Sequence, residues 1–220
     1  MKERIIQCFH AGAKTYEQAA DMQRFVAADL ANRLPLASPK TVLEMGCGTG
    51  VFSQYLIEDY PSASFQLIDI APAMVDACRQ RFSSCPNVSV SCVDIEKINT
   101  KSKYDLIVSS MTLHWLQEQL YDMHYLCDLL KPGGKFIFSI LGEGSFQEWR
   151  KVCQHLQLED GILLFPSISS LRSHYPQWQF THRSIPFYFK SAYLFLQSLK
   201  QLFYQAAVDM ITPMCPSMRH

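Results

Sequence analysis

The sequence predicts an α/β protein, a three-layer sandwich on a mainly parallel sheet, and three observations predict it. Apolar runs of strand length alternate with amphipathic runs of helical period between residues 41 and 141. The first apolar run ends in a glycine-rich loop, Glu44-Met45-Gly46-Cys47-Gly48-Thr49-Gly50, that opens the next helical stretch. Hydrophobic residues make up 48% of the 220 positions and charged residues 18%, as in chains whose central strands are covered on both faces. That length suits one large domain, or one domain with a helical cap.

Taken in order, residues 16–34 place Ala19, Met22, Phe25, Val26, Leu30 and Leu34 at a helical period that stops before Pro35. After a connector at 36–39, Thr41-Val42-Leu43-Glu44-Met45 is a strand running into the glycines. A helix follows Gly50 and turns Phe52, Tyr55, Leu56 and Ile57 toward the core. A strand at 64–69, a helix at 72–82 with Pro72 in its first turn, and a strand at 88–93 complete three βα units, which require right-handed crossovers and a parallel sheet. A fourth strand covers 104–109. A helix at 117–130 is stopped by Lys131-Pro132-Gly133-Gly134, and a fifth strand covers 135–141.

Beyond Gly142 the pattern predicts a helix at 146–156, a loop around Phe165-Pro166-Ser167, a helix at 168–174, a strand within 177–189 and a last helix at 191–208. Residues 211–220 read as a frayed tail. The expected organisation is a helical lid at 1–35, a cofactor-binding core at 36–142, a substrate-side segment at 143–210 completing the same domain, and the tail.

Composition excludes several functions. Lys plus Arg and Asp plus Glu are balanced at 20 each, with no basic cluster able to neutralise a run of phosphates, so no nucleic acid partner is expected. The eight cysteines form no C-x-x-C pair and no zinc-type spacing with histidine, so no metal is expected. Met1 to Gln7 carry no secretory apolar stretch, and no run reaches the roughly 18 apolar residues of a membrane span. The expectation is a cytoplasmic protein with no membrane partner.

The chemistry lies in the loop and in the strand ends that follow it. A G-x-G-x-G turn lets a ligand lie against the main chain, and its spacing differs from the G-x-G-x-x-G fingerprint that meets a pyrophosphate. Glu44, two positions ahead of the first glycine, offers a carboxylate to an ammonium group. Asp69 ends the second strand 19 residues after Gly50, where it can accept bonds from two ribose hydroxyls or cap the following helix. Asp94 is placed to accept a bond from an adenine amine, with Ile95 packing on the ring.

The ordered set Val42 to Gly50, Asp69-Ile70-Ala71-Pro72-Ala73-Met74, Asp94-Ile95-Glu96, Tyr104-Asp105-Leu106-Ile107 and Leu130-Lys131-Pro132-Gly133-Gly134 resembles the Rossmann-like class I S-adenosylmethionine-dependent methyltransferases. Toward the ends, Phe9, Tyr16-Glu17-Gln18-Ala19-Ala20-Asp21-Met22-Gln23-Arg24, Ser109 to Trp115, Gly144-Ser145-Phe146 and Ser198-Leu199-Lys200 are similar to the malonyl-carrier O-methyltransferases of biotin synthesis.

The resemblance implies S-adenosyl-L-methionine as cofactor, held by Glu44, Gly46, Gly48, Gly50, Asp69, Ile70, Asp94, Ile95 and Ser110. It implies methyl transfer to the free carboxylate of malonyl-acyl carrier protein or malonyl-CoA, which is ionised at neutral pH and needs no general base. Tyr16 would close over the methyl donor, or anchor a helix as a half-buried aromatic residue. His114 would face the transferred methyl with Trp115 on the substrate side, or both would be core residues. Lys200 would meet a carboxylate or phosphate, or be a solvated helix lysine. Two functional alternatives stay open: a methyltransferase for another small acid or metabolite, and a cofactor-binding module without turnover. Sheets of that class end in an antiparallel pair of strands, and no strand pattern follows Val208, so either the seventh strand is missing or the sixth lies elsewhere than in 177–189. An acidic carrier partner would call for a basic rim, for which Arg24, Arg150, Lys151, Arg172, Arg183 and Lys200 are available.

Overall fold

The computed structural model describes residues 2–12, 16, 20–98 and 101–203. Helices α1 (Lys2–Gly12) and α2 (Asp21–Ala31) precede β1 (Thr41–Met45), α3 (Val51–Asp59), β2 (Ser64–Asp69), α4 (Pro72–Arg81) and β3 (Val88–Cys92). Then come β4 (Tyr104–Ser110), a 3-10 segment Leu113–Tyr121, the single-turn α5 (His124–Cys127) and β5 (Leu130–Ser139). Helices α6 (Gln147–His155), α7 (Ile168–His174) and α8 (Ala192–Phe203) follow.

The five strands lie in the order β3-β2-β1-β4-β5, and every pairing is parallel. From the central β1 the chain winds outward to β3, then returns to place β4 on the other side of β1. That reversal opens a crevice at the carboxyl ends of β1 and β4. Alternation along the strands sorts the two cores. Val42, Phe65, Leu67, Leu106 and Val108 join Ala27 and Leu30 of α2 and Phe52 and Leu56 of α3 on one face. Leu43, Met45, Ile68 and Ile107 join Leu113, Leu120, Met123, Leu126 and Tyr175 on the other. Three layers result, as predicted.

Several elements depart from the expectation. Helix α1 falls within the helical lid expected at 1–35 but ahead of the helical period read at 16–34. The helix expected at 117–130 is instead a 3-10 segment broken at Gln117 (φ 53°, ψ −114°) and followed by the short α5. Tyr175 explains the break: its hydroxyl donates to the Leu120 carbonyl at 2.7 Å and accepts from the Met123 amide at 2.9 Å, supplying partners that a continuous helix would have supplied itself. Strand β5 starts at Leu130 and takes in the Pro-Gly-Gly stretch through a register shift opposite residues 104–106.

No strand forms within 177–189. Trp178 and Phe180 lie by their rings against Phe136 and Phe138 of β5, the Phe180 carbonyl accepts from Arg172, and Pro186 lacks a ladder donor, so the segment packs by side chains rather than by strand pairing. The expected helix end at 204–208, the region after Val208 on which the seventh-strand expectation rests, and the tail at 211–220 lie outside the described residues, as do 13–15 and 17–19 of the expected lid. Among the described residues no helix is long and apolar enough to cross a membrane, and no group of three or more His, Cys, Asp or Glu side chains could hold a metal ion.

Candidate active site

A cavity of about 420 Å³ opens at the crevice, floored by the loop after β1 and roofed by α1 and α2. The loop is shaped by its own amides: those of Gly46 and Cys47 both donate to the Ile68 carbonyl of β2, at 2.8 and 3.0 Å. Gly46 has φ 74°, and a Cβ there would collide with the Thr112 side chain, so only glycine fits. Gly50 has φ 89° and caps α3; a Cβ there would come within 2.6 Å of Phe82. Gly46 and Gly48 line the cavity, whereas Gly50 does not and serves the turn and its packing.

Alternation on β1 turns Glu44 to the α3 side, where it is fully buried. One carboxyl oxygen accepts from the Ser53 hydroxyl at 2.6 Å and the other has no protein partner. Burial, with a smaller push from Asp69 and against the Ser53 bond, raises its pKa to about 8. Asp69 at the end of β2 accepts from the Gly48 amide on one oxygen and from the Ala71 amide on the other, both at 2.9 Å. Ala71 is the N-cap position of α4, so the helix-capping alternative is realised in part, and each oxygen keeps a second lone pair for the cavity. Burial raises this carboxyl as well, against the opposing amide bonds.

Asp94 takes the ammonium of Lys2 at 2.9 Å and the Glu96 amide at 3.1 Å, and Lys2 also reaches Glu96 at 2.7 Å. Ile70, Ile95 and Ser110 line the same space. Tyr16 does too, with its ring centroid 6.5 Å from that of Phe9, which in turn meets Trp115 edge-on at 5.6 Å. Desolvation, with a smaller contribution from Asp69, holds the Tyr16 phenol well above its usual range.

His114 does not line the cavity. It is buried behind Trp115 with its ring 5.6 Å from Phe165, Nδ1 has no partner, and burial depresses its pKa to about 3. A neutral, enclosed imidazole of this kind is the core reading of that residue. The Lys200 side chain lies outside the described residues. Of the basic residues available for a rim, Arg24, Arg150 and Arg183 are paired with Asp21, Asp160 and Asp29, and the described cation on the cavity wall is Lys2. Sequence reasoning missed Lys2, Ile5, Gln23, Thr49, Thr112 and Gln117, all of which line the cavity. Ile5, Ile6 and Phe9 at helical spacing were the available sign of α1.

A family model described as a methyltransferase domain matches residues 42–134. A malonyl-[acyl-carrier protein] O-methyltransferase of Magnetococcus marinus is 33% identical over 197 residues, covering 86% of this chain and 73% of that protein. The chain belongs to the malonyl-[acyl-carrier protein] O-methyltransferase family. A second member, malonyl-[acyl-carrier protein] O-methyltransferase 1 of Ilyobacter polytropus, is 36% identical over 159 residues, which are 72% of this chain and 59% of that protein. The chain thus spans less than two thirds of that relative's length. The fold is also that of a methyltransferase solved in complex with the Haloferax volcanii Trm112 methyltransferase activator, with a TM-score of 0.64 at 19% identity over 78% of this chain and 74% of that one. In this family member the matched stretch ends at Gly134, so α1, α2 and everything after β5 lie outside the shared domain model.

Proposed function

We propose that the chain transfers a methyl group from S-adenosyl-L-methionine to the free carboxylate of a malonyl thioester, on acyl carrier protein or coenzyme A, an early step of biotin synthesis. The observation that carries this reading is one cavity at the sheet's crevice that joins a carboxylate at each of three strand ends to an aromatic wall, in a chain of this family. The cavity fits the cofactor on its own chemistry: buried oxygens of Glu44, Gln23 and Thr49 lack protein partners and all line it.

When bound, S-adenosylmethionine supplies a methyl group on a positively charged sulfur, open to attack by a carboxylate oxygen. Glu44 takes the ammonium of its amino-acid end, and Asp69 accepts from the ribose hydroxyls beside the amides of Gly48 and Ala71. Asp94 accepts from the adenine amine between Ile70 and Ile95, while Ser110 borders the loop. Phe9, Tyr16 and Trp115 exclude water around the acceptor and hold it in line. The acceptor carboxylate is already ionised, so the neutral His114 behind this wall takes no proton. Within this reading residues 1–35 act as the lid, 36–142 as the cofactor core and 143–210 as the substrate-side segment, and Lys200 is the residue that would meet the carboxylate or phosphate of the substrate. The reaction belongs in the cytoplasm, where its substrates are.

The test is incubation with methyl-labelled S-adenosylmethionine and malonyl-acyl carrier protein, malonyl-CoA, succinyl-CoA or acetyl-CoA, with mass spectrometry of the products. Labelled methyl ester on malonyl thioesters alone is the expected result. Cofactor binding without transfer to any of them would sink the substrate assignment.

A further inference from the structure

Helix α2 buries one face, and a polar residue stands on it. Gln23, Ala27 and Leu30 recur at helical spacing as its buried residues, and Gln23 is only 8% exposed. Its side-chain oxygen has no hydrogen-bond partner although it lines the cavity. Ala27, one turn on, is buried against the sheet and lines the cavity too, so this face of the helix is fixed in place. An amide oxygen enclosed without a partner is costly, and an apolar side chain of equal size would avoid that cost. Two further oxygens lining the same cavity share its condition: one of Glu44, whose other oxygen is taken by Ser53, and the Thr49 hydroxyl. Two such acceptors beside a hydroxyl call for a ligand group with several N–H donors.

We propose that Gln23 is a cofactor-binding residue that accepts a hydrogen bond from the ammonium of the cofactor's amino-acid end, together with Glu44. The inference rests on the S-adenosylmethionine reading above and adds to it a contact from outside the strand-end motifs. It makes α2 part of the cofactor site: the ammonium would bridge Gln23 on α2 and Glu44 on β1.

Calorimetric titration of the full chain with S-adenosylhomocysteine and with its deamino analogue tests this. Wild type is expected to prefer the amine by at least about tenfold, as for a charge-assisted contact. Gln23→Met, equal in length but without acceptor, is expected to lose about tenfold for S-adenosylhomocysteine and nothing for the deamino analogue, while its ligand-free melting temperature stays at or above wild type. Gln23→Glu, which offers only acceptors once ionised against the ammonium, should hold S-adenosylhomocysteine within about threefold of wild type. Unchanged affinity in Gln23→Met, or equal losses for both ligands, overturns the assignment of Gln23 alone. Wild type that binds neither ligand overturns the cofactor reading and this inference with it.

Discussion

Glu44 sets the acid-base character of the ligand-free protein. Its carboxyl titrates near pH 8 in the fold, chiefly because it is buried, and near 4.3 in the unfolded chain. Between those values the folded protein holds the extra proton, so its stability falls as pH rises. His114 acts in the opposite sense: burial keeps it neutral down to about pH 3, so the unfolded chain binds more protons below about pH 6.5 and stability falls on acidification. The two slopes oppose each other up to about pH 6.5, and above that the Glu44 slope remains, with the raised Asp69 acting in the same sense. Thermal midpoints should therefore hold level from about pH 5 to 6.5 and drop toward pH 8. Glu44→Gln should remove the alkaline drop, gain roughly 1–3 kcal/mol at pH 8, and bind the cofactor weakly. An alkaline drop of the same size in that variant would show that another group is responsible. Gly46→Ala meets both the Thr112 side chain and a positive φ. It should cost roughly 2–4 kcal/mol, with Thr112→Ala in the same chain recovering only the steric part, as a double-mutant cycle of melting curves would measure.

At the scale of elements, the stretch after β4 shows how a side chain from far along the chain reshapes a predicted helix. Leu113, Leu116, Leu120, Met123 and Leu126 all bury on the sheet, a period that reads as helical. The backbone nevertheless breaks at Gln117, and the Tyr175 hydroxyl, from the residue after α7, bonds the carbonyl of Leu120 and the amide of Met123. Tyr175→Phe leaves both groups buried and unpaired, which should cost roughly 2–4 kcal/mol in denaturant unfolding. A loss under about 0.5 kcal/mol would mean that the segment keeps its shape without the tyrosine. Since Trp115 and Gln117 stand on the cavity wall, the same variant should also loosen the acceptor side of the site. The roof has a different footing. Helix α1 is tied to the 3-10 turn after β3 (Ile95–Lys97) by Lys2, whose pairs with Asp94 and Glu96 are partly solvent-exposed, and pairs of that kind contribute little and weaken with salt.

Across the whole molecule, stability is concentrated in the sheet. Both cores meet on β1, β2 and β4, whose Leu43, Leu67, Leu106 and Ile107 are fully buried, whereas residues 181–194 are mostly exposed and carry Tyr188 at 91%. Hydrogen exchange should find β1, β2 and β4 opening only with global unfolding, and α1 and 181–194 exchanging early, with cofactor slowing α1 and α2 most. Equal protection of α1 and β1 in the ligand-free protein would contradict the lid. By itself the sequence determined the five parallel strands, most helix bounds and the carboxylates at the ends of β1, β2 and beyond β3. Those features rest on local period, glycine punctuation and spacing, which a linear reading captures. Only the tertiary structure decided that His114 lies behind the wall, that 177–189 packs by its rings instead of pairing as a strand, and that Lys2 and Gln23 line the cavity. Each of these depends on contacts between residues far apart in the chain, and periodicity gives the buried face of an element without saying what stands opposite it.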